Sequence, residues 1–71
     1  MKMLLTKEQA VALLQGWYLD PEQEDDWLRF DKGVMDTDDT VCYVYFRPHH
    51  ITIPDTRKSY ILYQFDRIEI Q

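Results

Sequence analysis

The sequence predicts an α+β fold in which an N-terminal helix packs on a small antiparallel sheet of three to five strands. Three observations predict it: a helix start signal at residues 6–9, an uncharged β-forming run at Thr40–Phe46, and alternating apolar residues in the last third of the chain. We expect one small α+β domain over residues 1–71, because 71 residues are enough for one modest core.

The sequence Thr6-Lys7-Glu8-Gln9 has the form of a capping box and predicts the start of the N-terminal helix. Apolar side chains then recur at helical spacing, at Ala10, Leu13, Leu14 and Trp17. This spacing also places Trp17 in the core. We expect the helix to end before Pro21, because the residue preceding a proline avoids the helical region, or earlier at Gly16.

A second helix start signal lies at Asp20–Gln23, where an N-cap acid precedes a proline. The acids Glu24, Asp25 and Asp26 follow, which a helix N-terminus favours, so one or two helical turns are expected. The next segment, Trp27–Asp31, alternates and reads as a strand with Leu28 and Phe30 on one face. The spacing of Trp27 and Phe30 also fits the end of a helix.

The run Thr40–Phe46 has the composition of a buried strand, since after Thr40 every side chain is β-branched, aromatic or Cys. Alternation places Cys42, Val44 and Phe46 on one face, and Val41, Tyr43 and Tyr45 on the other. The first face is the predicted core. A strand that is apolar on both faces is typically central and covered on both sides, so the tyrosine face can also be a self-association surface of a homodimer.

The last third of the chain contains two further predicted strands. Arg47-Pro48 is expected to end the central strand, so His49–Ile53 becomes a short separate strand, followed by a turn at Pro54–Arg57. Ser59–Phe65 is the next strand. The apolar phase changes after Phe65, which predicts a bulge or tight corner at Asp66-Arg67.

Charge is distributed unevenly. The net charge is −5, but residues 20–39 hold nine acids and two bases, a net of −7, and the remaining segments have a net of +2. We call the segment Asp20–Asp39 the acidic belt. Such a surface repels nucleic acids and membranes and attracts basic proteins. We therefore expect no direct nucleic-acid binding and no membrane binding.

The single cysteine excludes a disulfide within the chain, and its place in an apolar run indicates a reducing compartment, hence the cytoplasm. Cys42 is expected to be buried and unreactive. His49 and His50 are adjacent on a predicted strand, so they point to opposite faces and do not readily share a metal ion. We expect no catalytic residues, no metal and no cofactor.

A calcium loop is a weak match at Asp36-x-Asp38-Asp39. The calcium-binding helix–loop–helix pattern requires Gly at its sixth position and Glu at its twelfth. Those positions hold Val41 and Arg47. A solvated turn is the better interpretation.

The belt leads to the functional hypothesis of a non-enzymatic, small acidic interaction protein that binds a basic protein partner, including as a nucleic-acid mimic or inhibitor. The predicted partner-binding residues are the belt acids and neighbouring aromatics Tyr18, Glu22, Glu24, Asp25, Asp26, Trp27, Asp36, Asp38 and Asp39. A belt that serves only as a solvated face is the simpler alternative. The other alternative is a homo-oligomeric structural domain that self-associates through Tyr43 and Tyr45.

Overall fold

A computed structural model describes residues 3–21, 24–33 and 40–71, and shows a helix packed on a four-stranded antiparallel sheet. The elements are α1 (Lys7–Leu13), β1 (Tyr18–Leu19), a 3₁₀ turn (Glu24–Asp26), β2 (Leu28–Asp31), β3 (Cys42–Ile53) and β4 (Lys58–Ile70). The strand order is β1-β2-β3-β4, so β3 is central as predicted. The predicted α+β class is confirmed.

Helix α1 begins with the predicted capping box. The Thr6 hydroxyl accepts from the Gln9 amide at 3.1 Å, and the Gln9 side chain accepts from the Thr6 amide at 2.9 Å. The helix ends earlier than the apolar spacing predicts, at Leu13. Gly16 follows with φ +92°, a backbone conformation that ends a helix and reverses the chain. Trp17 is therefore outside the helix, although it still packs against the core.

Strand β1 was not predicted. Its two residues, Tyr18 and Leu19, pair with Asp31 and Phe30 of β2. A two-residue strand has no alternation of its own, so only its pairing with β2 reveals it. The strand interpretation of Trp27–Asp31 is confirmed for Leu28–Asp31, and the helix-end interpretation is wrong.

The predicted helical turns before β2 are reduced to one 3₁₀ turn at Glu24–Asp26. Asp25 and Asp26 there have φ values of +57° and +66°. These left-handed conformations interrupt a regular helix.

Strand β3 continues through Pro48, so the predicted break there is wrong. Strand β2 pairs with β3 only as far as Phe46. Beyond that point the described residues give β3 one strand neighbour, β4. A proline can lie in such an edge position without losing a ladder hydrogen bond. Residues 47–64 consequently form a long two-stranded hairpin, and the molecule measures 54 × 25 × 18 Å.

The predicted bulge at Asp66 is confirmed. Tyr45 is opposite Arg67 and Phe46 is opposite Phe65, so Asp66 is the extra residue of β4. The bulge restores the phase of the apolar side chains. Phe65 and Ile68 consequently lie on the same face as Phe46 and Val44.

The core lies between α1 and one face of the sheet. Its buried side chains are Ala10, Leu28, Phe30, Val44, Phe46 and Tyr63. Val44 and Phe46 confirm the predicted core face of β3. Cys42, on the same face, is only partly buried, because it is paired with the exposed Ile70 at the end of the sheet.

We expect Phe46→Ala to lower the free energy of unfolding by about 3–5 kcal/mol, the usual cost of losing a core aromatic. Phe46 is 2% exposed and contacts the rings of Phe30 and Phe65 edge-to-face, at centroid distances of 5.7 and 6.2 Å. Phe65→Ala is the matched control, because Phe65 lies on the same face but is 51% exposed. Urea denaturation should show a clearly smaller loss for the control. Equal losses would contradict this core assignment.

Candidate functional site

A pocket of about 400 Å³ opens where the start of α1 faces the segment between β1 and β2. We call it the acidic pocket. It is lined by Lys7, Leu19, Asp20, Pro21, Asp26, Trp27, Leu28 and Tyr63. The fold thus brings together two of the predicted partner-binding residues, Asp26 and Trp27, on one concave surface.

The polar groups of the acidic pocket include two carboxylates, an ammonium group and a phenol. Asp26 is exposed, and its carboxylate lies 3.7 Å from Nε2 of His50. Burial raises the pKa of Tyr63, and the negative charges of Asp26 and Glu8 raise it further. The Tyr63 hydroxyl therefore stays neutral at physiological pH, and can donate or accept a hydrogen bond.

Asp20 on the pocket wall already interacts with Arg29. Its carboxylate accepts a hydrogen bond from Nε of Arg29, and its amide donates to the Arg29 carbonyl at 2.9 Å. A hydrogen bond with Asp20 raises the pKa of Asp31, and burial and the charge of Asp20 raise it further, against smaller opposing effects of Gly33 and Arg29. The described part of the belt thus divides into internally paired acids, Asp20 and Asp31, and exposed acids, Asp25 and Asp26.

The other predicted partner-binding residues do not line the acidic pocket or cannot be placed. Tyr18 is exposed on β1, beside Gly33, and does not line the pocket. Five predicted partner-binding side chains lie outside the described part of the chain: Glu22, Glu24, Asp36, Asp38 and Asp39. Sequence reasoning missed Lys7 and Tyr63, because they come from elements distant in sequence, and it also missed Leu19 beside the belt.

The sheet face opposite α1 carries stacked arginine and aromatic side chains. We call it the arginine–tyrosine face, formed by Trp27, Arg29, Tyr43, Tyr45, Arg47 and Arg67. The Arg29 guanidinium lies 4.6 Å from the Tyr43 ring centroid, and that of Arg67 lies 4.0 Å from the Tyr45 centroid. Both tyrosines are half-buried. Guanidinium groups therefore cover the two tyrosine rings, for which the sequence analysis had identified no covering group within the chain.

Trp27 also belongs to this face. Arg47 and Arg67 lie 5.6 and 5.8 Å from its ring centroid. The ring is partly buried and in contact with cations, so it is only partly available as a partner anchor. The contacts between arginines and tyrosines follow from the strand register, which places both Arg29 and Arg67 opposite Tyr45.

Two acids of β4 form hydrogen bonds with Arg47 and Arg67. Asp66 accepts hydrogen bonds from Arg47 at 3.0 Å and from Arg67 at 2.7 Å, and Glu69 accepts from Arg67 at 2.8 Å. The hydrogen bonds from Arg67 lower the pKa of Asp66 and the pKa of Glu69. The face is therefore a network of alternating charges, with positive and negative groups nearly balanced.

The two histidines contact different groups. Nε2 of His49 lies 2.7 Å from the side-chain oxygen of Gln64, whereas His50 faces Asp26. Within the described ranges, the structure shows no cluster of three or more His, Cys, Asp or Glu residues that could hold a metal ion.

Comparison of the chain with protein-family models, with curated proteins and with solved structures finds no match. Over the residues that the structure describes, no helix is both long and apolar enough to cross a membrane.

We expect Asp31→Asn to stabilise the protein at neutral pH. Because the pKa of Asp31 is raised on folding, its stabilising contribution is complete below the ordinary value of 3.8 and is lost as pH rises through the raised value. Asparagine imitates the protonated acid at every pH. The stability advantage of the variant should therefore grow as pH rises from about 3 to about 7 in urea denaturation curves.

The control Asp66→Asn should behave in the opposite way. The pKa of Asp66 is lowered on folding, so its contribution is present above 3.8 and is lost as pH falls through the lowered value. This variant should be less stable than wild type at neutral pH and approach it in acid. The same sign for both variants would contradict the contacts described for these two carboxyl groups.

Proposed function

We propose that this protein is a non-enzymatic interaction protein that binds a basic protein partner at the acidic pocket. The observation that carries the proposal is the combination, in one pocket of about 400 Å³, of the exposed Asp26 carboxylate with an apolar wall. A solvated acidic face needs no such concavity. A docking site for a cationic side chain gains from one, because the concavity can bury the apolar stem.

A lysine or arginine side chain of the partner matches the acidic pocket in both of its parts. Such side chains bury an apolar stem and keep a charged head near polar groups. Leu19, Pro21 and Trp27 offer contacts for the stem. Asp26 is exposed and accepts the head, and the neutral Tyr63 hydroxyl offers a further hydrogen bond. Lys7 is exposed and can move aside as the partner enters.

The rest of the acidic belt supports the proposal through long-range attraction. A net charge of −7 over residues 20–39 speeds the encounter with a basic protein and makes it sensitive to salt. Proteins that bind nucleic acids present basic surfaces. The proposal therefore includes action as a nucleic-acid mimic, or as an inhibitor of such a protein. We place the protein in the cytoplasm because its one cysteine lies in an apolar strand.

The homo-oligomeric alternative at Tyr43 and Tyr45 stays a prediction. Arg29 and Arg67 already stack on these rings. A second copy at this face would therefore meet guanidinium groups before it met the rings. This favours the pocket over the arginine–tyrosine face as the functional surface.

A test of the acidic pocket uses nona-arginine as a model basic peptide and follows amide chemical shifts during titration at low salt. Asp26→Asn should weaken binding about two- to five-fold, the effect of losing one partly exposed ion pair. Asp55→Asn is the matched control, because it removes the same charge from the exposed turn between β3 and β4. Equal weakening by both variants would show diffuse attraction without a pocket.

Two triple substitutions, each of which removes three negative charges, test the acidic belt with the natural partner. In low-salt affinity capture from the native host lysate, Glu24→Gln/Asp25→Asn/Asp26→Asn should lose a captured basic protein, chiefly through slower association. The triple Asp36→Asn/Asp38→Asn/Asp39→Asn should lose less, because only the first triple includes a residue of the pocket. Capture by both triples at wild-type strength and salt dependence would refute the docking proposal.

A further inference from the structure

The outer edge of β4 is largely open over the residues that the structure describes. Leu5 pairs with Tyr63 through two backbone hydrogen bonds of 2.8 and 2.7 Å, and so covers the edge at that point. Among residues 3–21, 24–33 and 40–71, no strand pairs with this edge from Phe65 to Ile70. An open strand edge is a template for pairing with another chain.

The backbone of this stretch has groups directed outward. Val41 and Gln71 exchange two backbone hydrogen bonds of 2.8 Å at the end of the β3–β4 ladder. In an antiparallel ladder such exchanges alternate with pairs that make none, so Glu69 and Arg67 also bond to β3. The N–H and C=O groups of Ile68 and Ile70 therefore face away from β3.

Apolar side chains accompany this open edge. Ile68 is 55% exposed and Ile70 is 71% exposed. On the same face an apolar groove of about 310 Å³ runs between the sheet and α1, with Met3, Leu13 and Phe65 among its exposed lining residues. Clustered exposed apolar side chains of this kind mark interaction surfaces.

We propose that a second copy of this chain pairs with β4 edge to edge, antiparallel, about a two-fold axis at Ile68. Directly opposite residues in an antiparallel pair lie on the same face, so the axis must pass through a residue position. An axis at Arg67 or Glu69 would place like charges opposite each other. An axis at Ile68 places Arg67 of each copy opposite Glu69 of the other, which favours this register.

The same register satisfies the other two features of the edge. Ile68 has outward N–H and C=O groups, so the two Ile68 residues exchange hydrogen bonds across the axis. Their side chains meet on the apolar face, and both α1 helices lie on that side of one continuous sheet. The axis lies outside the acidic pocket and the tyrosine rings, so the inference does not rest on the proposed partner.

Charge-reversal substitutions at Arg67 and Glu69 test the proposed register of the two β4 strands. Wild type should sediment as a dimer at micromolar concentration, and Arg67→Glu or Glu69→Arg alone should weaken dimerisation about tenfold, since each makes both cross-axis pairs repulsive. An equimolar mixture of the two variants should form a heterodimer, because each Glu then faces an Arg. A monomeric wild type, or a mixture no tighter than its components, would overturn the proposal.

A cross-linking experiment keeps the proposal testable if Arg67→Glu loses its fold along with its contact to Tyr45. In a Cys42→Ala background, Ile68→Cys should form a covalent dimer rapidly under mild oxidation. Ile53→Cys is the matched control, because Ile53 is exposed at the far end of the β3–β4 hairpin. Equal rates of dimer formation, or none for Ile68→Cys, would overturn the register.

Discussion

The structure depends on the packing of Phe30 against Phe46 across strands β2 and β3. These are the two largest fully buried side chains, and their rings meet edge-to-face at a centroid distance of 5.7 Å. The small core leaves few other contacts to compensate for their loss. Ala10 of α1 is also fully buried, and its small side chain lets the helix approach the sheet. The pairing of β2 with β3 is thus the constraint from which both sheet faces follow.

The opposite face is determined by the same register. With Phe30 beside Val44, Arg29 lies opposite Tyr45 and Asp31 lies opposite Tyr43. A slip of one residue would move the phenylalanines to solvent and the charged side chains into the core. The arginine–tyrosine stacking therefore does not have to determine the strand register, because the core has already selected it. The bulge at Asp66 has a comparable double role, since it restores the apolar phase of β4 and supplies a carboxylate to Arg47 and Arg67.

Two surfaces with different chemistry remain available for interaction. The acidic pocket combines exposed carboxylate with an apolar wall, and we propose it as the site for a cationic side chain. The outer edge of β4 combines outward backbone groups with exposed isoleucines and suits another strand. Because the residues of the two surfaces do not overlap, self-pairing would leave both acidic pockets of a dimer open. A partner with two basic sites could then bind more tightly through both pockets.

The sequence alone determined the features that arise from neighbours in the chain. These are the capping box of α1, the alternation that buries Val44 and Phe46, and the phase change that requires a bulge at Asp66. Of the acidic pocket it identified Asp26 and Trp27, which lie within the charged segment. The tertiary structure decided where α1 ends, the existence of β1, the continuity of β3 through Pro48 and the arginines over Tyr43 and Tyr45. The last three of these depend on pairing between residues of different strands, whose free energy no local pattern contains.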